Sequence, residues 1–176
     1  MPQSQLLAAL AGDNEPLLTY QGNEAMALRR ISVRRSDVHG KGVFANVRIS
    51  EGELIGEYKG RRIPWREAME RAPANLNEPD HTFFFDVGDG TVIDGGTQGN
   101  SARWINHSCE PNCEPEEDSG RIYIRALRTI ESGEELSIDY ALAGDEPPSK
   151  ALRERYACRC GSRRCRGTML ANRRSR

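Results

Sequence analysis

Apolar positions in this chain come in short bursts rather than long helical stripes. Ile31-Ser32-Val33, Val43-Phe44-Ala45, Leu54-Ile55-Gly56-Glu57-Tyr58, Phe83-Phe84-Phe85-Asp86-Val87, Thr91-Val92-Ile93, Arg121-Ile122-Tyr123-Ile124 and Leu136-Ser137-Ile138 are rich in β-branched or aromatic side chains. Glycine and polar turn residues fall between them about every ten residues, which predicts a mainly β fold of short strands. Two stretches read as helix. Pro64 to Ala72 has Pro in a first-turn position followed by good helix formers, and Asn100 or Ser101 caps a short helix ending near Asn106. Residues 1–28 mix Gln, Asn, Gly and Pro around the cluster Leu6 to Leu10, and read as a loosely ordered arm. No repeat of solenoid or propeller period is present.

Composition changes this picture little. A chain of 176 residues suits one domain with a core that needs no disulfide staples. The net charge of −1 hides an uneven distribution. Residues 150–176 carry ten Lys or Arg against the single acid Glu154, whereas Glu110 to Asp118 holds five acids and Glu131 to Glu146 six more without a base. The acidic segments are either solvated loops or a surface that steers a Lys/Arg-rich substrate. Leu6 to Leu10 lacks a preceding base and is short, so it reads as neither signal peptide nor membrane span. The expected setting is cytoplasmic or nuclear. In such a reducing compartment five cysteines suggest metal rather than disulfides.

Four blocks carry the chemistry: His39-Gly40-Lys41-Gly42-Val43-Phe44, Arg103-Trp104-Ile105-Asn106-His107-Ser108-Cys109-Glu110-Pro111-Asn112-Cys113, Gly133-Glu134-Glu135-Leu136-Ser137-Ile138-Asp139-Tyr140 and Cys158-Arg159-Cys160-Gly161-Ser162-Arg163-Arg164-Cys165. In this order, over residues 31 to 170, they resemble the SET-domain protein lysine methyltransferases with a post-SET zinc-binding tail. The resemblance implies a β-clip of small curved sheets with a short helical insertion and a knot-like C-terminal thread near Asn106-His107. It also implies a layout of a SET domain over 29–145, a zinc-binding segment over 146–170 and a basic tail over 171–176.

Cys158, Cys160 and Cys165 supply three thiolates within eight residues, and zinc in a structural site takes four ligands. The remaining candidates are Cys109 and Cys113. The resemblance selects Cys109, the cysteine directly after Asn-His-Ser, and leaves Cys113 as a small apolar residue. One metal would then pin the C-terminal segment onto the Asn106-His107 loop.

A lone Gly-x-Gly reads only as a turn, and no Rossmann fingerprint is present. The resemblance gives Gly40-Lys41-Gly42 its function: Lys41, Gly42, Val43 and Phe44 contact S-adenosylmethionine, joined by Asn106 and His107. Arg103, Tyr58 and Tyr140 line the same site, and the aromatic and post-SET segment cover the adenine. Tyr140 matches the family's catalytic tyrosine and Tyr58 a second channel tyrosine. Tyrosine suits this role because it is neutral at pH 7 and offers a ring wall with a hydroxyl.

Phe83, Phe85 and Ile138 fall at substrate-channel positions and mark departures. Phe83 stands where many relatives have Tyr, and Ile138 where many carry Phe or Tyr and where methyl number is often set. The expectation is a channel that admits more than one methyl. His39 and His81 have no such context and read as loop residues. No cysteine-rich segment precedes the domain in the sequence, so substrate choice is expected to rest on the Pro64–Asp80 insertion, the acidic loops and the basic tail. The implied function is S-adenosylmethionine-dependent methylation of lysine in a histone or other basic protein. The alternative is a SET scaffold that binds basic proteins or chromatin without turnover. A nucleic-acid binder using Arg153 to Arg176 is a third reading, but its cysteine spacing is not that of a C2H2 finger and no reading helix follows.

Overall fold

The structure, a computed structural model, describes residues 30–71, 83–142 and 149–171. The arm over 1–28, most of the Pro64–Asp80 insertion beyond Arg71, His81 and the tail after Ala171 lie outside the described residues. Ten short strands dominate the described residues: β1 (Ile31–Arg35), β2 (Lys41–Ala45), β3 (Leu54–Tyr58), β4 (Arg61–Pro64), β5 (Phe84–Asp86), β6 (Thr91–Asp94), β7 (Asn106–His107), β8 (Cys113–Asp118), β9 (Arg121–Ala126) and β10 (Ser137–Ile138). Among the described residues, helix is limited to α1 (Trp65–Arg71), a 3-10 turn over Ser101–Trp104 and α2 (Lys150–Arg155).

The strands form four small sheets: β1-β2, β3-β9-β8, β4-β6-β5 and the parallel pair β7-β10. A single core joins them. Val43, Ile49, Ile130, Leu136 and Cys113 are fully buried there beside Tyr58, Ile105 and Ile138. A satellite of Ile63, Ala68 and Val92, with Phe84 against it, fixes α1 to β4 and β6. No helix among the described residues is long and apolar enough to cross a membrane.

Several boundaries differ from the sequence reading. Pro64 does not open the helix; it ends β4 opposite Thr91, and α1 begins at Trp65. β4 is an edge strand of its sheet, where a residue without an N–H is tolerated. The helix capped by Asn100, whose side chain accepts from the Ala102 N–H, is a 3-10 turn that stops at Trp104. It cannot reach Asn106, because Asn106 and His107 are taken into β7 opposite Ser137 and Ile138. The acidic run after Cys113 is a strand rather than a loop: β8 pairs with β9 over its whole length, with Glu114, Glu116, Glu117 and Asp118 exposed.

The β7-β10 pair positions the site. It joins residues about thirty apart in sequence, and the Ser108 N–H adds a bond to the Ile138 carbonyl at 3.0 Å. Asn112, 2% exposed, locks the crossing. Its Nδ2 donates to the Glu135 carbonyl (2.8 Å) and Glu134 Oε1 (3.1 Å), while its Oδ1 accepts from the Ser137 N–H (2.8 Å). A buried amide this fully paired replaces backbone partners that neither short strand could find alone.

Candidate functional site

The turn between β1 and β2 is shaped by Gly40 and Gly42. Gly40 has φ +45, and its carbonyl accepts from the Ser36 N–H at 3.0 Å. Gly42 is required by its neighbour, because a Cβ there would overlap the Glu135 carboxylate. That carboxylate ties three elements together: Oε2 accepts from Ser36 Oγ (2.9 Å), and Oε1 accepts from Asn106 Nδ2 (2.7 Å). Asn106 Nδ2 also reaches the Lys41 carbonyl at 2.9 Å and the His39 carbonyl at 3.4 Å. Asn106 and Glu135 thus clamp the His39–Gly42 main chain beside β7. Gly42→Ala is expected to push this clamp apart and to lower stability by about 1–3 kcal/mol. Thermal unfolding should show a drop of several degrees, and an unchanged melting temperature would contradict the close approach.

Arg103, Trp104, Lys41 and Phe83 make an aromatic and cationic wall. The Phe83 and Trp104 rings meet edge-on at 4.9 Å, Lys41 Nζ lies 4.7 Å from the Trp104 centroid, and the Arg103 guanidinium lies 5.0 Å from it. Arg103 Nη1 donates to the Gly95 carbonyl at 3.1 Å. Its Nε is buried and has no hydrogen-bond partner among the described residues. A buried donor left unpaired at a polar wall is what a bound small molecule with acceptor atoms would satisfy.

Both predicted tyrosines turn their hydroxyls onto backbone carbonyls. Tyr58, on β3 and 6% exposed, donates to the Phe83 carbonyl at 2.7 Å and packs on Phe85 with ring centroids 5.2 Å apart. Gly95 passes so close that a Cβ would stand 2.6 Å from the Tyr58 oxygen. Tyr140, following β10 and 38% exposed, donates to the Ile105 carbonyl at 2.8 Å. Burial raises the pKa of both phenols above the ordinary tyrosine value, and for Tyr58 the nearby Tyr140 adds to the rise. Both are therefore neutral at physiological pH. The Tyr140 side chain stays partly exposed while its hydroxyl is bound to the Ile105 carbonyl.

His107 braces Tyr140 from β7. Its Nδ1 accepts the Tyr140 N–H at 3.1 Å, the rings lie 5.4 Å apart, and Nδ1 is 3.5 Å from Asp139. Burial drives its pKa down to about 4, against the opposing pull of Asp139, so the ring is neutral. With Nδ1 accepting, the proton sits on Nε2, which faces Cys109 Sγ at 3.4 Å.

Cys109, Cys158, Cys160 and Cys165 bring their sulfurs within 4.8 Å of one another. Cys109 Sγ lies 3.7 Å from that of Cys158 and 3.9 Å from that of Cys165. A tetrahedron with metal–sulfur bonds of ~2.3 Å has edges of roughly 3.8 Å, so the donor set and spacing fit a four-thiolate ion. The Arg166 and Gly167 N–H groups point at Cys109 and Cys165 sulfur, at 3.5 and 3.4 Å, where they would offset thiolate charge. Cys113 stands apart: it is fully buried on β8, and burial pushes its thiol up to about 12.

The predicted residues thus fall into three groups that touch. Lys41, Gly42, Val43 and Phe44 lie along β2, with the Lys41 carbonyl held by Asn106; Arg103, Phe83 and Trp104 form the wall; Tyr58 packs on Phe85, and Tyr140 on His107. Ile138 is 5% exposed in the main core and faces His107 across the β7-β10 pair. Sequence reasoning passed over Glu135, Gly95, Asp139 and Arg166. Gly95-Gly96-x-x-Gly99 did carry a signal, since clustered glycines mark close backbone approach. A groove of ≈ 590 Å³ lies elsewhere, walled by Ile55, Ala102, Ile105, Tyr123 and Ile124. It reaches neither tyrosine of the pair and offers none of the cysteines.

The SET domain model matches residues 40–141, and the chain belongs to the SET-domain family. Its relatives include a "Histone-lysine N-methyltransferase, H3 lysine-4 specific" of Emericella nidulans, 37% identical over 172 residues, which covers 94% of this chain and 13% of that protein. The "Histone-lysine N-methyltransferase 2B" of Homo sapiens is 37% identical over 140 residues, covering 77% of this chain and 5% of the relative. The "Histone-lysine N-methyltransferase trithorax" of Drosophila melanogaster is 34% identical over 160 residues, covering 88% and 4%. The chain therefore spans a small fraction of the length of these relatives.

Proposed function

We propose that the chain is an S-adenosylmethionine-dependent protein-lysine N-methyltransferase, with a SET unit over 29–145 and a segment over 146–170 closed by one structural Zn²⁺. The observation that carries this reading is the pair of neutral phenols, Tyr58 and Tyr140, anchored on the Phe83 and Ile105 carbonyls beside the Asn106-His107 crossing. S-adenosylmethionine, when bound, supplies an electrophilic methyl. The Lys41–Phe44 main chain, Asn106, His107 and the unpaired Arg103 Nε would hold it. Tyr58 and Tyr140 orient the lysine amine, and Phe83 and Phe85 wall its aliphatic stem. Removal from water lowers a lysine pKa from its usual ~10.4, so alignment and exclusion of water suffice and no strong base is needed.

The substrate class in this reading is a histone or another basic protein tail, in a cytoplasmic or nuclear setting. The relatives' names and the exposed carboxylates of β8 support it. Ile138, without a hydroxyl to hold water, is read as leaving room for more than one methyl.

The test is transfer from labelled S-adenosylmethionine to core histones and basic non-histone proteins, with lysine mapping by mass spectrometry. Label on lysine is expected, with di- or trimethyl product accumulating. Only monomethyl product after long incubation would overturn the role of Ile138. Cofactor binding without transfer would point to the scaffold that docks without turnover, and no cofactor binding would overturn the reading altogether.

A further inference from the structure

We propose that Arg166 is a positioning residue for the reaction, gripping Asp139 so that the C-terminal segment sets the backbone of the catalytic tyrosine, Tyr140. This rests on the methyltransferase reading above. Asp139 and Tyr140 follow β10 directly. The Arg166 guanidinium meets the Asp139 carboxylate as a fork, Nη1 to Oδ2 at 2.6 Å and Nη2 to Oδ1 at 2.5 Å. Paired N–H donors of this kind fix orientation as well as distance. The third guanidinium nitrogen, Nε, is shared between the Thr168 and Leu170 carbonyls at 3.1 and 3.0 Å. Each of the three guanidinium nitrogens of Arg166 thereby has a partner, and its side chain is 15% exposed.

Asp139 passes this constraint to Tyr140. Its Oδ1 accepts the Ala141 N–H at 2.9 Å, closing a side-chain turn around Tyr140. Ala141 has φ +43, a left-handed conformation that a residue with a Cβ adopts only when its surroundings hold it there. The turn aims the Tyr140 N–H at His107 Nδ1 and carries the hydroxyl to the Ile105 carbonyl. Beyond it, the Leu142 N–H donates to the Met169 carbonyl at 3.0 Å and the Ala171 N–H to the Leu142 carbonyl at 2.9 Å. Arg166 thus sits between the thiol cluster and the strained turn, and without it the carboxylate loses the only cation that the fork supplies.

A staple that merely retained the tail would act on stability. A positioning residue acts on turnover through Tyr140, and the two are separable. Arg166→Leu is expected to lower kcat about 10–100-fold, the scale of a small misplacement of a reacting group, while S-adenosylmethionine affinity and zinc content stay within twofold. In a Tyr140→Phe background the same substitution should add little, because its effect runs through the lost hydroxyl. Amide NMR of zinc-loaded protein supplies a readout independent of turnover: the Tyr140 and Ala141 resonances should shift in Arg166→Leu and less in Arg166→Lys. Should Arg166→Leu fail to fold, Asp139→Asn, which keeps an acceptor for the Ala141 N–H, should show the same non-additivity with a smaller loss.

Equal losses in both backgrounds, or unmoved Tyr140 and Ala141 amides, would overturn the proposal. Absence of methyl transfer by the wild-type protein would instead fail the functional reading and leave the NMR result to decide the role of Arg166.

Discussion

Replacing Cys109 with serine should abolish most of the proposed methyl transfer while leaving the central β-sheets folded. Cys109 is the one sulfur of the cluster supplied from the β7 side; the other three come from 49 to 56 residues downstream. Without it, Cys158, Cys160 and Cys165 would keep a weaker three-thiolate site, and the proposed zinc would no longer bridge the two parts of the chain. The remaining ties are the Glu110–Arg164 and Asp139–Arg166 pairs and a few backbone bonds. Exposed pairs such as Glu110–Arg164 contribute at most ~1 kcal/mol. We expect a fall in activity of about 100-fold or more, proteolytic cleavage in the Arg-rich segment, and only a modest change in the melting of the core. Chelation of zinc from the wild-type protein should reproduce all three effects. Cys113→Ala, which removes a buried thiol outside the cluster, should retain one zinc per chain. Loss of zinc from that variant would sink the assignment of the four ligands.

The second large effect is expected at Tyr140. Tyr140→Phe deletes a hydroxyl that donates to the Ile105 carbonyl and, in the proposed reaction, orients the amine. Loss of one preorganised donor at a reacting centre typically lowers kcat by ~10²–10³. The accompanying loss of stability should be only about 1–3 kcal/mol, for one unpaired carbonyl. Binding of S-adenosylmethionine should change little, because in the proposed site it is held chiefly by the Lys41–Phe44 main chain, Asn106, His107 and Arg103. Because burial raises the Tyr140 pKa above its ordinary value, the wild-type rate should show no inflection from a tyrosine below pH ~10. Single-turnover kinetics across that range would check both points. A Tyr140→Phe variant with wild-type kcat would remove the residue from the chemistry.

What could be read in the sequence follows from how local each determinant is. The apolar bursts at Val43, Ile55, Val92 and Ile122 gave β2, β3, β6 and β9 because each carries its own β-branched core residues. β4 and β8 were hidden. Arg61-Arg62 and the acidic run after Glu114 look like loop, and both become strands through pairing with apolar neighbours. The Asn100 cap was legible as a cap, yet the length of its turn was decided by the distant pairing of Asn106 with Ser137. In the site, the motif residues were found together with their thiol cluster. Glu135 and Arg166 were not, because their meaning lies in partners 29 and 27 residues away, Asn106 and Asp139. Neither an acid nor an arginine in a charged segment announces such a partner.

The exposed carboxylates of β8 have one further consequence. β8 is an outer strand of its sheet, with one side of its backbone turned away from β9. Pro115 supplies no N–H there, and four acids line the strand. A second copy laying its own β8 alongside would stack like charge on like charge, the arrangement that keeps sheet borders from zipping together. In the proposed function the same strand would welcome a lysine-rich substrate while turning away its own twin.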